Sequence, residues 1–221
     1  MIECGITKKE LIVNNLINPT ILEDVLHFAQ RASTYGLVSM AQGNVSGRDS
    51  NTGYIAITPH EFPYDDMKVS DIVIVNIEGE KISGNLDPSF ETPVHCAVYR
   101  SRPEVMAIVH TEPPYVNAFG AVHIEIQPIT TTLYKAAGGP IPVMPYRRSG
   151  SLEFANEMLK IMGGRNAIVW ANHGMLVVGP SVEVAYHRSV AIEQGAYTLF
   201  LALQLGKPKI LKDFTAVLEE I

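Results

Sequence analysis

Hydrophobic positions along the chain switch between a helical period and short, unbroken apolar runs. Residues 20–36 read as a helix, opened by the capping-box pair Thr20 and Glu23 and stopped at Gly36. A turn rich in Gly and Asn follows at 40–48, then a strand at 54–58 broken by Pro59. Residues 72–77 form a second β-branched run, which turns at Glu78-Gly79 and returns through Lys81-Ile82. Residues 91–101 are helical, with Pro93 tolerated in the first turn. Residues 105–110 make a buried strand, and Pro113-Pro114 ends it and opens a short helix to Phe119. Two apolar runs, 167–172 and 175–178, predict a hairpin around Asn172-His173-Gly174. Gly179-Pro180-Ser181 then starts a long helix to about Leu205, with apolar positions at helical spacing, closed by Gly206 and Pro208. The tail beyond Pro208 is expected to be loosely held. Interleaved helices and hairpins predict a mixed or antiparallel sheet covered by helices, as one α/β domain over residues 1–221.

Composition narrows the partners. The 221 residues carry a formal net charge of −6, and no Lys/Arg run exceeds two. Nucleic acid and anionic membrane are therefore not the expected partners. The chain starts without an apolar signal segment and has no 18-residue apolar stretch, so a cytoplasmic protein is expected. Cys4, in an N-terminus expected to fray, and Cys96, in the 91–101 helix, are read as reduced thiols. Neither a Walker-type phosphate loop nor a G-x-G-x-x-G follows any strand.

The chemistry-bearing residues are few. His110-Thr111-Glu112 ends an apolar strand, where side chains two apart emerge on the same side. His173 sits in a tight turn, and Gly174 is expected to free the backbone so that the imidazole points inward. Glu91 and His95 are four apart and share a helix face. Two imidazoles with up to two carboxylates suit Zn, Mn or Fe(II) rather than Ca or Mg. His27, His123 and His187 carry no partner pattern and are read as structural or exposed.

The segments Gly43-Asn44-Val45-Ser46, Ile57-Thr58-Pro59, Pro88-Ser89-x-Glu91, His95, Val109-His110-Thr111-x-Pro113 and Ala171-Asn172-His173-Gly174 stand in one order. In that order, over residues 22–206, the chain resembles the class II aldolase/adducin family. The resemblance implies a three-layer α/β/α fold with a central, largely antiparallel sheet. It implies a homotetramer with active sites between subunits, and a divalent metal, zinc first, with Mn or Fe(II) as alternatives. It implies His110, Glu112 and His173 as ligands, Glu91 as the proton-transfer group, and Gly43, Asn44, Thr58, His60 and Ser89 around the substrate. The implied chemistry is retro-aldol cleavage of a small hydroxy-carbonyl or sugar-type compound in carbohydrate metabolism.

Three differences from the family pattern matter. Where the family carries H-x-H, this chain has His110-Thr111-Glu112, which removes one unit of positive charge from the metal and favours harder ions. His60-Glu61 and Phe90 replace small hydroxyl residues and a glycine in the loops that cradle phosphate, so a phosphate on the substrate is left open. The family's interfacial tyrosine aligns with Thr132, and Tyr134 could substitute if that stretch is extended. Residues Tyr115, Phe119, Tyr146 and Arg147-Arg148 could shape the substrate pocket; the plainer reading of the arginine pair is a solvated surface. Besides an aldolase, a decarboxylase or epimerase of the same family, a non-haem iron oxygenase using His110, Glu112 and His173, and a non-catalytic adducin-like module are the alternatives.

Overall fold

The computed structural model describes residues 16–212. Helix α1 (Pro19–Thr34) is followed by strands β1 (Asn44–Arg48) and β2 (Ile55–Ile57), two 3-10 turns, and strands β3 (Val73–Val75) and β4 (Lys81–Ser83). Next come α2 (Thr92–Ser101), β5 (Ala107–Thr111), α3 (Pro114–Ala121), α4 (Thr131–Ala137), β6 (Val143–Met144) and α5 (Leu152–Met162). Strands β7 (Ala167–Trp170) and β8 (Gly174–Gly179) and helix α6 (Val182–Leu205) complete the order. Among the described residues the strands form one eight-stranded sheet in the order β4-β3-β2-β1-β5-β8-β7-β6. Every pairing is antiparallel except β6 on β7, so the expected mixed, largely antiparallel sheet is present.

The two-residue period of the strands explains the layering. Ile55, Ile57, Val73, Val75, Ile168, Trp170, Leu176 and Val178 point to one face, where they meet α2 and α5. Their neighbours point the other way. Val45, Ala56, Ile74, Ala107 and Val109 pack on α1 and the first half of α6. Ala167, Val169, Met175 and Val177 pack on α3, α4 and the rest of α6. The result is helices on both sides of the sheet. No helix among the described residues is long and apolar enough to cross a membrane.

Several local expectations are corrected. Helix α1 is capped by Asn18, whose side chain accepts from the Thr20 amide at 3.1 Å, with Pro19 in the first turn; Thr20 is inside the helix. The segment read as a turn at 40–48 contains β1, which lies in the middle of the sheet between β2 and β5. Helices α4 and α5 fall where no element was expected, although Thr130 and Ser151 cap them with hydroxyls that accept from Leu133 and Phe154 amides. Cys96 is buried on α2, and burial pushes its thiol up to about 11, which keeps it protonated and inert. The N-terminal expectation for Cys4 lies outside the described residues, as does the tail beyond residue 212. Up to that point the tail is tied down by the Leu211 amide, which donates to the Pro128 carbonyl at 2.9 Å.

Candidate metal centre

The site forms where β1, β5 and β8 end together. Register places Asn44 opposite His110, and His110 opposite Leu176. Gly43, just before β1, has φ +87°, and a Cβ there would lie 2.5 Å from the His110 carbonyl oxygen. Only glycine meets both demands. At the turn between β7 and β8 the left-handed residue is Asn172, with φ +57°, not Gly174. Gly174 is needed for space instead: a Cβ there would lie 2.5 Å from the Thr111 oxygen and 3.0 Å from both Glu112 Cγ and His110 Cε1. The turn therefore presses directly onto the end of β5 and delivers His173 beside His110. Asn172 is steadied by His123, whose Nε2 is 3.3 Å from its Oδ1, a role the sequence pattern did not flag.

Glu91, His110 and His173 each offer one donor atom, and these atoms lie within 4.8 Å of one another. His110 Nε2 is 3.3 Å from Glu91 Oε2, and His173 Nε2 is 3.7 Å from Glu91 Oε1. Two ligand atoms on a tetrahedral ion with bonds of about 2.1 Å sit roughly 3.4 Å apart. The two histidine–glutamate spacings, each to a different oxygen of the carboxylate, lie near that figure. Glu112 stands outside this three-residue cluster but beside it, with Oε1 3.7 Å from His173 Nε2.

Each donor is oriented by a second contact. His110 Nδ1 is 2.9 Å from the Met175 carbonyl, which can only accept, so Nδ1 carries a hydrogen and Nε2 is the nitrogen turned toward Glu91. The ring stacks on Trp170 at 4.5 Å, and His173 lies edge-on to it at 5.0 Å. Asn44 Nδ2 donates to Glu91 Oε2 at 2.9 Å. Burial alone would raise the Glu91 carboxyl. His110, Ser149, Asn44 and His173 together outweigh it and hold the group at about 2. Burial raises Glu112, with His173 opposing and Glu91 reinforcing, and burial lowers His173, with His110 reinforcing and the two carboxylates opposing.

The loops expected around a substrate also converge here. Pro59 and Pro88 form an antiparallel bridge, with the His60 amide donating to Asp87 O at 3.0 Å and the Ser89 amide to Thr58 O at 3.2 Å. Thr58 is fully buried, and its hydroxyl accepts from the Val45 amide at 3.2 Å, so it braces β1. Ser89 is buried and accepts from the Glu91 amide at 3.3 Å, which sets the approach of Glu91 to α2. His60 is exposed beside Glu61. Arg147 pairs with Glu157 at 2.6 Å on α5, as a partly exposed surface pair. Tyr134 is on α4, a helix rather than the extended stretch its role required, and α4 packs on the sheet face opposite α2. Within one chain, then, Tyr134 and Glu91 belong to different layers.

The pattern of the Class II Aldolase and Adducin N-terminal domain matches residues 23–200. The chain belongs to the class II aldolase and adducin family. A 5-deoxy-D-ribulose 1-phosphate aldolase of Bacillus thuringiensis serovar kurstaki is 30% identical over 191 residues, 86% of this chain and 89% of that protein. An L-ribulose-5-phosphate 4-epimerase of Salmonella paratyphi B is 28% identical over 76% of this chain and 78% of that one. A solved L-fuculose 1-phosphate aldolase superposes with a TM-score of 0.86 at 27% identity, covering 92% of this chain and 95% of its own. With its carboxylate and two imidazoles gathered as described, this member of the family is an enzyme, a metal-dependent lyase of the aldolase type. The interaction-module alternative is thereby set aside.

Proposed function

We propose that the chain cleaves a small hydroxy-ketone of the sugar type by a retro-aldol reaction at a divalent ion held by Glu91, His110 and His173, with Glu112 as a further donor. The observation that carries this reading is the 3.3 Å approach of His110 Nε2 to Glu91 Oε2. With Nδ1–H committed to Met175, Nε2 is the ring nitrogen turned to Glu91, so a divalent cation in that gap would bond imidazole and carboxylate together. A bound divalent ion would polarise the substrate carbonyl and stabilise the negative charge left on oxygen when the carbon–carbon bond breaks. Glu91, buried and aimed at the same point, would carry the proton between substrate oxygen and carbon. Gly43, Asn44, His60 and Ser89 would line the substrate, with Thr58 holding the loop that presents them.

Zinc is the first choice of ion, and the two carboxylates bring Mn and Fe(II) into competition. The aldolase relative supports a ketose 1-phosphate as the first substrate class to test, and the changed loops at His60 and Phe90 make its unphosphorylated counterpart the necessary comparison. The rest of the reading is a single unit over residues 1–221, a cytoplasmic homotetramer of carbohydrate metabolism with sites between subunits. Exposed Phe200, Leu201 and Leu203 on α6, next to the tilted Tyr115–Tyr197 ring pair, support an apolar contact between copies. The epimerase relative favours one second reading, in which the same cleavage is followed by re-addition.

The test is a metal-stripped full chain reloaded with Zn, Mn or Fe(II) and screened on ketose 1-phosphates, free ketoses and hydroxy-keto acids for aldehyde release. Metal-dependent cleavage that falls by about 100-fold or more in Glu91→Gln and His173→Ala is expected. Activity that survives both substitutions and a chelator would overturn it. An epimerised sugar without free fragments selects the second reading.

A further inference from the structure

Three polar positions of β1 match three positions of α2 in order. Asn44, Ser46 and Arg48 alternate with Val45 and Gly47, which face α1 and α6. Glu91, the residue that opens α2, is followed at intervals of four by His95 and Tyr99, so the three share one face. Asn44 Nδ2 donates to Glu91 Oε2 at 2.9 Å. Ser46 Oγ lies 2.7 Å from His95 Nδ1 and 2.7 Å from Tyr99 Oη. Arg48 Nη1 donates to the Tyr99 carbonyl at 3.0 Å, and its guanidinium lies 5.2 Å from the centre of the Tyr99 ring. Two residues of strand advance about 6.6 Å and four residues of helix about 6 Å, so strand and helix stay in step over all three rungs. Asn44, Ser46, Glu91, His95 and Tyr99 are all buried. Apolar packing holds α2 down on the sheet, but that attraction has no direction. Hydrogen bonds have a preferred length and angle, so a ladder of them fixes how far α2 stands along β1. The middle rung depends on one atom. Ser46 Oγ has one hydrogen to donate and two lone pairs to accept with, which is enough to serve both His95 and Tyr99.

We propose that Ser46 is a positioning residue: through His95 and Tyr99 it fixes the register of α2 on β1, and with it the point where Glu91 meets His110 and His173. The proposal rests on Glu91 being a metal ligand. Its test is Zn(II) affinity, measured on the metal-stripped full chain by competition with a chromophoric chelator. Ser46→Ala is expected to weaken zinc binding by about 10-fold, the lower end of the effect of losing an outer contact. The control is Val98→Ala, which removes an apolar contact of the same helix and no rung. It should lower the metal-free melting temperature and leave zinc affinity near that of wild type. Equal losses of affinity in the two variants would show that any loosening of α2 suffices, and would overturn the role of Ser46. Should Ser46→Ala fail to fold, Tyr99→Phe, which deletes one bond of the middle rung and keeps the ring, is read against Val98→Ala in the same way. The pair Ser46→Ala and Glu91→Gln closes a double-mutant cycle. If Ser46 acts through Glu91, adding Ser46→Ala to Glu91→Gln costs no further affinity, whereas additive losses would refute the link. If Glu91→Gln loses affinity while Ser46→Ala binds zinc like wild type, the Ser46 role is wrong and the metal assignment stands. If Glu91→Gln itself binds like wild type, both fall.

Discussion

Gly174→Ala tests whether the site is built by close approach of the β7–β8 turn to β5. Gly174 is not among the residues with positive φ, so alanine meets no backbone penalty there. What it meets is crowding. The added methyl would sit 2.5 Å from the Thr111 oxygen and 3.0 Å from Glu112 Cγ and His110 Cε1. The first contact is with backbone inside the central ladder, where Thr111 pairs with Met175, so it cannot be relieved by a rotamer change. Overpacking of this kind costs about 1–3 kcal/mol, and an unyielding backbone partner puts this case near 3. For a domain of this size, each kcal/mol moves the melting temperature by about 2–4 °C, so a drop of roughly 6–12 °C is expected. The displacement is directed at His110 and Glu112, so zinc affinity should fall as well. Gly164→Ala is the control: its φ is ordinary and nothing lies within 4 Å of its added methyl, so it should melt like wild type. Thermal unfolding of the metal-free proteins reads the first effect and chelator competition the second. A Gly174→Ala protein that melts with the Gly164→Ala control would refute the steric account of the turn.

Two further predictions concern groups that hold the site from behind. His95 is fully buried, with Nδ1 2.7 Å from Ser46 Oγ, and burial, reinforced by His110 and opposed by Glu91, lowers it to about 3. Its folded value lies below the unfolded 6.5, so the stability it contributes is present above pH 6.5 and is lost as the pH falls toward 3; between pH 6.5 and 5 the loss is on the order of 2 kcal/mol. Urea unfolding of metal-free protein should show that slope and a flatter one in His95→Gln, and equal slopes would contradict it. Glu193 is buried on α6, and its two oxygens accept the Tyr115 and Val116 amides at 3.0 and 2.9 Å, capping α3 just after Glu112 and Pro113. Glu193→Ala leaves both donors without a partner and should cost about 2–4 kcal/mol, with Glu193→Gln costing less because its oxygen can still accept; equal denaturation midpoints for the two variants would exclude the cap.

The His173 hairpin, the His110 strand and the Ser181-capped helix were legible because each is a local pattern: β-branched runs, a turn dipeptide, a hydroxyl before a helical period. Strand β1 was not, for a physical reason. Asn44-Val45-Ser46-Gly47-Arg48 lacks a β-branched run because its positions answer to neighbours rather than to propensity. A Cβ on Gly47 would lie 2.9 Å from Ile21 and 3.1 Å from Val182, where α1 and α6 cross the sheet, while Asn44 and Ser46 bond to Glu91 and His95. The sequence also placed Glu112 among the first ligands and Glu91 in the proton role. The structure puts Glu91 inside the three-residue cluster and Glu112 at its edge, a difference set by tertiary distance and invisible to spacing along the chain.

Every donor in the cluster is steered by an element remote from its own. Glu91, at the head of α2, is held by Asn44 of β1. His110, at the end of β5, is held by the Met175 carbonyl of β8 and the Trp170 ring of β7. His173 stands on a turn packed against β5. None of these pairs is local, so the unfolded chain has no comparable site, and an ion that binds the folded cluster stabilises the fold by mass action. At a free zinc concentration 100 times its dissociation constant that gain is about 2.7 kcal/mol. It acts on the same backbone contacts, Gly174 on Thr111 and Gly43 on His110, that bring the ligands together. Substitutions that loosen those contacts should therefore lower metal affinity and the metal-dependent part of stability in parallel, because both measure how closely the ends of β1, β5 and β8 are held.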